Sequence, residues 1–301
     1  MNKQPVYIII PVHNRKAITL KCLETLQNNG DLDKYNVIVV DDGSTDGTSL
    51  AIQSQYTEVI ILPGDGNLWW TGAIKKGMEY AYQKGAEFFI WLNDDCYPYK
   101  GSIDKLVDLC KSDPKIIAGG QCFDPDTLTP SYGGIGVKEG KVNFFIHAQN
   151  KALLECDGLA GNLACISKQI VDKIGYPNSS LFPQYYGDVT YTNTAKKNGY
   201  KLIISQSAKA FCKNDHPRIS WLNPDKPLLA YWQDYFKIKS SSYWKAELNY
   251  YKAMFGLQGI GLYVYRKIIR FWLFFIFVKI TPSSFRQSLK QIKQGLKFPM
   301  I

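Results

Sequence analysis

Apolar runs and helix-spaced stretches alternate along the first 120 residues. Residues 6–11, 37–41, 59–62, 88–93 and 116–120 are short, β-branched or aromatic, and continuous in hydrophobicity. Residues 16–28, 45–55, 72–84 and 103–112 carry apolar positions at helical spacing. Strand and helix taken in turn predict right-handed βαβ units and a mainly parallel sheet. Runs without polar alternation fit strands covered on both faces. From Gln121 the texture changes to Gly, Pro and Thr with short extended pieces, which predicts hairpins and loops. Residues 159–174 then read as a strand or loop entering a helix. A helix is expected over 188–198, ended by Gly199, and a last strand over 201–211.

Two of these apolar runs end in paired acids. Asp41-Asp42 closes VIVVDD and Asp94-Asp95 closes FFIWLNDD. Either pair alone is explained by capping of the helix that follows. Four carboxylates at the ends of two core strands are costly unless a charge or hydrogen bonds answer them. In open α/β sheets that edge is where ligands sit. A carboxylate at 42 can accept from the imide of a pyrimidine or from ribose hydroxyls. Asp94 and Asp95 offer hard oxygens to Mg²⁺ or Mn²⁺ bridging a diphosphate. Between the pairs, Gly64-Asp65-Gly66-Asn67 leads into Trp69-Trp70-Thr71-Gly72, a turn and helix start whose glycines permit close backbone approach.

Charge divides the chain. Residues 237–301 hold 12 Lys+Arg against one acid, Glu247, leaving the body near neutrality although the whole carries +10. Residues 261–280 contain an apolar run of eight, 271–278, too short to span a bilayer, which needs about 20. Extending the run to twenty residues places Arg266, Lys267 and Arg270 inside it. Beyond Pro282, Phe285, Leu289, Ile292 and Leu296 form one stripe, with Arg286, Lys290, Lys293 and Lys297 mostly off it. This composition predicts an interfacial amphipathic helix on an anionic membrane surface. A helix packed on the body and a homodimer contact are the alternative uses. No nucleic-acid motif accompanies the basic residues, so nucleic acid is not an expected partner. Seven scattered cysteines without a CxxC point to a reducing compartment and no disulfide framework. The amino-terminal apolar run is too short for a signal-peptide core. The expected location is therefore cytoplasmic, peripheral on the inner face of the cell membrane.

The ordered set PVHNR (11–15), VVDDGSTDGT (39–48), GNLWWTGA (66–73), WLNDD (91–95) and YYGDVTYTNTAKKNGYK (185–201) resembles the inverting family 2 glycosyltransferases of GT-A fold. It is similar in particular to bacterial rhamnosyltransferase-like members that build cell-surface polysaccharide. The resemblance implies an α/β fold with a Rossmann-like nucleotide-binding sheet flanked by helices. Residues 1–236 would form the transferase domain, 1–120 its nucleotide-sugar half and 121–236 its acceptor half. Residues 237–301 would be a basic helical appendage. Pro11, Val12, Asn14, Asp42, Gly66, Asn67, Gly72 and Asp94 would line the nucleotide-sugar pocket, with Asp42 on a uracil or thymine ring. Asp95 would be the metal ligand, where Asn93 replaces a frequent first acid, and His216 a further ligand. Asp188 would be the catalytic base, preceded by Gly187 where relatives usually have an acid. Trp69, Trp70 and Asn162 would face the acceptor. The implied cofactor is Mn²⁺ or Mg²⁺, the implied donor a nucleoside-diphosphate sugar, and the implied acceptor a glycan or lipid-linked glycan.

Two other readings stay open on the residues. A sugar nucleotidyltransferase requires a Gly-rich loop after the first strand, and residues 11–15 contain no glycine. A non-catalytic sugar-nucleotide-binding or assembly protein has no need to keep Asp42, Asp95 and Asp188 together.

Overall fold

A computed structural model describes residues 3–138, 141–148, 151–213, 233–269 and, beyond these, 272–273, 276–277, 280–282, 284–285 and 288. The chain divides into two units, Met1–Asn214 and Asp215–Ile301.

In the first unit the strands are β1 (Val6–Val12), β2 (Asn36–Asp41), β3 (Ile60–Pro63), β4 (Phe88–Leu92), β5 (Cys96–Pro98), β6 (Ile116–Phe123), β7 (Gly134–Lys138), β8 (Lys141–Ile146), β9 (Leu153–Glu155), β10 (Gly158–Leu159), β11 (Leu163–Ser167) and β12 (Lys201–Cys212). The helices are α1 (Lys16–Asn29), α2 (Asp31–Lys34), α3 (Thr48–Gln55), α4 (Trp69–Gln83), α5 (Ser102–Ser112), α6 (Lys168–Ile174) and α7 (Gly187–Lys197).

The main sheet runs β3-β2-β1-β4-β11-β6-β12-β5, and β9 pairs β12 off this path. β10, β7 and β8 form a small separate sheet. The first four strands in that order are parallel, as their apolar runs predict. The sheet as a whole is mixed. β11 enters antiparallel between β4 and β6, with Leu163 opposite Leu92. Because β11 runs backwards, its amino end reaches the edge where β1, β2 and β4 finish. β12, parallel to β6, ends at that edge too, with Cys212 opposite Cys96 of β5.

Alternate residues of β1 feed two cores. Val6, Ile8, Ile10 and Val12 pack with Cys22, Leu23 and Leu26 of α1 and Ile103, Leu106 and Val107 of α5. Tyr7 and Ile9 pack on the other face with Ala73, Ile74 and Met78 of α4 and Tyr191 and Ala195 of α7. Ile8, Ile9 and Ile10 are wholly buried, each a gain of roughly 2 kcal/mol by transfer. Such a core fixes the strands, and the acidic residues beyond their ends are the parts left over.

The second unit contains α8 (Trp244–Phe255), α9 (Leu257–Tyr263) and a π-helical turn, Val264–Ile269. Glu247 is buried and its Oε1 pairs with Lys267 Nζ at 2.5 Å. The Tyr235 hydroxyl donates to the Lys267 carbonyl at 3.4 Å. Leu257, Tyr265, Ile268, Ile269, Trp272, Leu273, Ile276 and Ile280 are exposed. No helix among the described residues is long and apolar enough to cross a membrane. Of the amphipathic stripe, Phe285 is described and exposed, whereas Leu289, Ile292 and Leu296 and their flanking bases lie outside the described residues.

Candidate functional site at the sheet edge

The ends of β1 and β2 are stitched together by polar side chains. Asn14 sits at φ 53°, and its N–H donates to Ser44 Oγ at 2.8 Å. Its Oδ1 accepts from the Thr45 N–H at 2.7 Å, so its amide nitrogen faces His13 Nε2. His13 Nδ1 lies 2.6 Å from the Asp42 carbonyl, which only accepts, and so Nδ1 carries the proton. Asp41 accepts from the Ser44 N–H at 2.9 Å and from the Ser49 hydroxyl, closing the turn that starts α3 three residues later than helical spacing predicts.

Asp42 is buried, and both its oxygens are engaged. Oδ1 accepts from the Gly66 N–H at 2.8 Å and Oδ2 from the Trp69 N–H at 2.9 Å. It therefore shapes the 64–69 loop from behind. Gly64 is required there, since a Cβ would fall 2.5 Å from Asp42 Oδ1 and 2.8 Å from Asp42 Cα. Trp69 adopts φ 56°, a strained region for an aromatic residue. α4 accordingly begins at Trp69, earlier than the spacing predicts, its first N–H held by the carboxylate that follows β2. Its next donors are also taken. The Trp70 N–H reaches Gln184 Oε1 at 3.1 Å and the Thr71 N–H reaches the Pro183 carbonyl at 3.0 Å. The Gly72 N–H bonds to the Leu68 carbonyl, so this helix start presents its donors to protein groups. Asn67 is exposed at the loop tip, its N–H held by Asp65.

The Trp70 indole is part of the scaffold. Its Nε1 donates to Asn93 Oδ1 at 2.8 Å, and its ring meets Trp91 edge-on at 5.6 Å. It lies so close over Gly161 that a Cβ there would stand 2.4 Å from Cζ2. The same Cβ would be 3.1 Å from Asp188 Cβ, which places Asp188 just across the Gly161 backbone from the indole.

Asp188 lies in the first turn of α7. Its Oδ2 accepts from the Gly161 N–H and its Oδ1 from the Val189 N–H, each at 2.8 Å. Burial raises its carboxyl above the ordinary aspartate value, and the two donors pull the other way. Gly187 explains the missing neighbouring acid. A Cβ at 187 would overlap Thr71 Oγ1 at 2.1 Å, so no side chain fits while Thr71 stands opposite. That Thr71 oxygen is buried and has no hydrogen-bond partner.

Next to Gly161, the Asn162 carbonyl accepts from the Asn93 N–H at 3.1 Å, and its buried amide reaches Cys212 Sγ at 3.2 Å. Residues 161–162 thus link Asp188 to the second acidic pair. Asp94 is buried, while the Asp95 side chain is 37 % exposed. Arg15 spans the two, with Nε 3.2 Å from Asp94 Oδ2 and a terminal nitrogen donating to Asp95 Oδ2 at 2.8 Å. Burial pushes the Asp94 carboxyl up to about 7, with Arg15 opposing and Asp95 reinforcing the rise. Sequence reading missed Arg15. The available signal was a lone cation on the loop that leaves the first strand of an acidic edge.

The structure gathers Pro11, Val12, Asn14, Asp42, Gly66, Asp94, Asp95, Asn162 and Asp188 around one edge. His216 lies outside the described residues. Among the described residues no three His, Cys, Asp or Glu side chains form a metal cluster. Asp95 is the open member of its pair, and one solvent-facing carboxylate fits a divalent cation held mostly by substrate phosphates.

Known proteins share this architecture. Over 70 % of the chain, and 44 % of the other, it superposes on GalNAc-T7 solved with UDP, GalNAc and Mn²⁺, with TM-score 0.58 at 14 % identity. Over 98 % of the chain, and 81 % of the other, it superposes on the mannosyltransferase PcManGT of Pyrobaculum calidifontis solved with GDP-Man and Mn²⁺, with TM-score 0.56 at 15 % identity. The fold is GT-A. In sequence the chain is 27 % identical over 206 residues to the glycosyltransferase AglE of Haloferax volcanii, covering 66 % of this chain and 64 % of that one. The chain thus spans just under two thirds of that relative's length. It is 22 % identical to the GalNAc(5)-diNAcBac-PP-undecaprenol beta-1,3-glucosyltransferase of Campylobacter jejuni, covering 96 % of this chain and 97 % of that one. The family description glycosyl transferase family 2 matches residues 7–175, from the first strand through the helix after β11, and the chain belongs to that family.

Proposed function

We propose that the protein is an inverting glycosyltransferase. It moves a sugar from a UDP- or dTDP-linked donor to a hydroxyl of a glycan or lipid-linked glycan in cell-surface polysaccharide synthesis. The observation that carries this reading is the Gly161–Asn162 turn, which ties Asp188 to Asn93 and so to the acidic pair at one sheet edge. The Campylobacter relative, whose name specifies an undecaprenol-linked glycan, supports the lipid-linked acceptor.

In this reading the loops after β1 and β2 and the 64–67 turn hold the nucleotide. Asp42 does so by fixing that turn. A divalent cation, Mn²⁺ or Mg²⁺, held by Asp95, would neutralise charge on the departing diphosphate. Asp188 accepts the proton of the acceptor hydroxyl as that oxygen bonds to the anomeric carbon. The bond from that carbon to the diphosphate oxygen breaks on the opposite face, and its electron pair leaves with the nucleoside diphosphate. A single displacement inverts the centre. The raised pKa of Asp188 makes it a better proton acceptor than an ordinary aspartate. The exposed rim near Asn67 faces solvent and would meet sugar rings together with Trp69, whereas Trp70 and Asn162 shape the floor.

Thermal unfolding of the full chain with Mn²⁺ or Mg²⁺ and UDP, dTDP, GDP, ADP or CDP tests the donor class. Ligand at 100 times its Kd stabilises the folded state by about 2.7 kcal/mol. The expected result is a metal-dependent rise with UDP or dTDP alone. No rise with any of the five would reject the transferase reading.

The basic second unit fits a peripheral role at the cytoplasmic face of the cell membrane. Its exposed Trp272, Leu273, Ile276 and Ile280 offer apolar contact, and the 12 cations of residues 237–301 offer attraction to anionic headgroups. Deleting residues 261–301 is expected to abolish sedimentation with anionic vesicles. Retained binding by the shortened chain would remove this segment as the anchor.

A further inference from the structure

Arg15 stands at the mouth of the site as a cation already in contact with the acidic pair. Its backbone is fixed, since its carbonyl accepts from both the N–H and the hydroxyl of Thr19 at 2.9 Å, in the first turn of α1. Its guanidinium reaches Asp94 Oδ2 at 3.2 Å and Asp95 Oδ2 at 2.8 Å. The Arg15 and Asp95 side chains are 39 % and 37 % exposed, Asp94's only 5 %. The bridge is therefore closed on the Asp94 side and open to solvent at Asp95. A divalent cation arriving at Asp95 meets a guanidinium already on that carboxylate. Two cations on one carboxylate repel at contact distance unless an anion joins them. A diphosphate is such an anion, because its oxygens bind a metal and accept the planar fork of an arginine together.

We propose that Arg15 is the resident counter-ion of Asp94 and Asp95 and gates the divalent cation. In the donor-free protein it keeps cation affinity low. When a nucleoside diphosphate arrives with the metal, the guanidinium transfers from Asp95 to phosphate oxygens. Arg15 is thus a positioning residue that makes cation and nucleotide bind as a unit. The inference rests on the metal-dependent transferase reading above. By linkage, each ligand tightens the other by the same factor.

The test is Mn²⁺ binding, followed through the paramagnetic signal of the free aquo-ion, with the full chain and its Arg15→Gln and Arg15→Lys variants. Each is titrated with Mn²⁺ alone and with UDP, dTDP or GDP, against nucleotide-only controls. Loss of one charge-assisted contact corresponds to about a tenfold change in affinity. Arg15→Gln is expected to bind Mn²⁺ alone about tenfold more tightly than the native chain, and to gain less from nucleotide. Arg15→Lys keeps the charge without the fork and is expected to fall between. If the native chain binds Mn²⁺ with a nucleotide while Arg15→Gln shows unchanged or weaker affinity for Mn²⁺ alone, the gate is wrong and the transferase reading stands. If no protein binds Mn²⁺ with any of the three nucleotides, both fail. Should Arg15→Gln not fold, an Arg15→Lys chain indistinguishable from the native one overturns the gate.

Discussion

Replacing Asp188 with asparagine is expected to lower kcat by about 10³-fold, the scale of a positioned general base. Binding of the nucleoside diphosphate should be retained, since Asp188 bonds to the Gly161 and Val189 N–H groups, whereas the 64–69 loop is held by Asp42. Asparagine has nearly the same shape but only one acceptor oxygen for two donors, so a stability loss of about 1–2 kcal/mol accompanies the change. Turnover must therefore be measured well below the unfolding transition of the variant. The pH profile gives an independent check. Only the ionised base accepts a proton, so native activity rises with pH through the Asp188 pKa, which burial places above the ordinary aspartate value. The residual activity of Asp188→Asn should lack that rise. Turnover within tenfold of native, with the rise intact, would assign the base elsewhere.

The change Asp42→Asn is expected to damage both stability and nucleotide binding. Each Asp42 oxygen accepts a backbone N–H, from Gly66 and from Trp69, and the residue is buried. In asparagine one of these becomes an NH₂ group facing a donor. A hydrogen bond to a charged group contributes about 1.5–3 kcal/mol, and leaving its partner unpaired in the interior costs on that scale. For a unit of this size 2–3 kcal/mol corresponds to a fall in Tm of about 5–10 °C. The loop and the start of α4 then lose their shared anchor, and the thermal response to UDP or dTDP should weaken with them. An unchanged Tm would mean that the loop is held by other contacts. An unchanged nucleotide response at lowered Tm would separate the loop from the binding site.

Much of the first 120 residues was legible because their signals are local. A run such as VIVVDD states its strand, its burial and its end within six residues. The placement of Asp41-Asp42 and Asp94-Asp95 at one edge follows from parallel pairing of β2, β1 and β4. The direction of β11 was not legible. Leu163–Ser167 is buried throughout, and a fully covered strand shows no alternation by which to tell parallel from antiparallel. Nor could the sequence display where Asp42 points. Its partners are backbone groups 24 and 27 residues away, which any residues can supply. The Arg15 bridge joins residues 80 apart in the chain and depends on the β1–β4 pairing that brings them together.

The contact between Gly187 and Thr71 restricts how this chain can change. Position 187 cannot take a side chain while the Thr71 oxygen lies where its Cβ would go. A second acid beside Asp188 is therefore out of reach by one substitution, however useful its charge. Position 71 must first lose its side chain, and because that hydroxyl is buried without a partner, giving it up forfeits no hydrogen bond. The two positions form an ordered pair, with the first step costing about 1 kcal/mol for the buried methyl it removes and the second permitted only after it. A library that randomises 187 alone is expected to return glycine, whereas one that randomises 71 and 187 together opens the ground beside Asp188 to new charge.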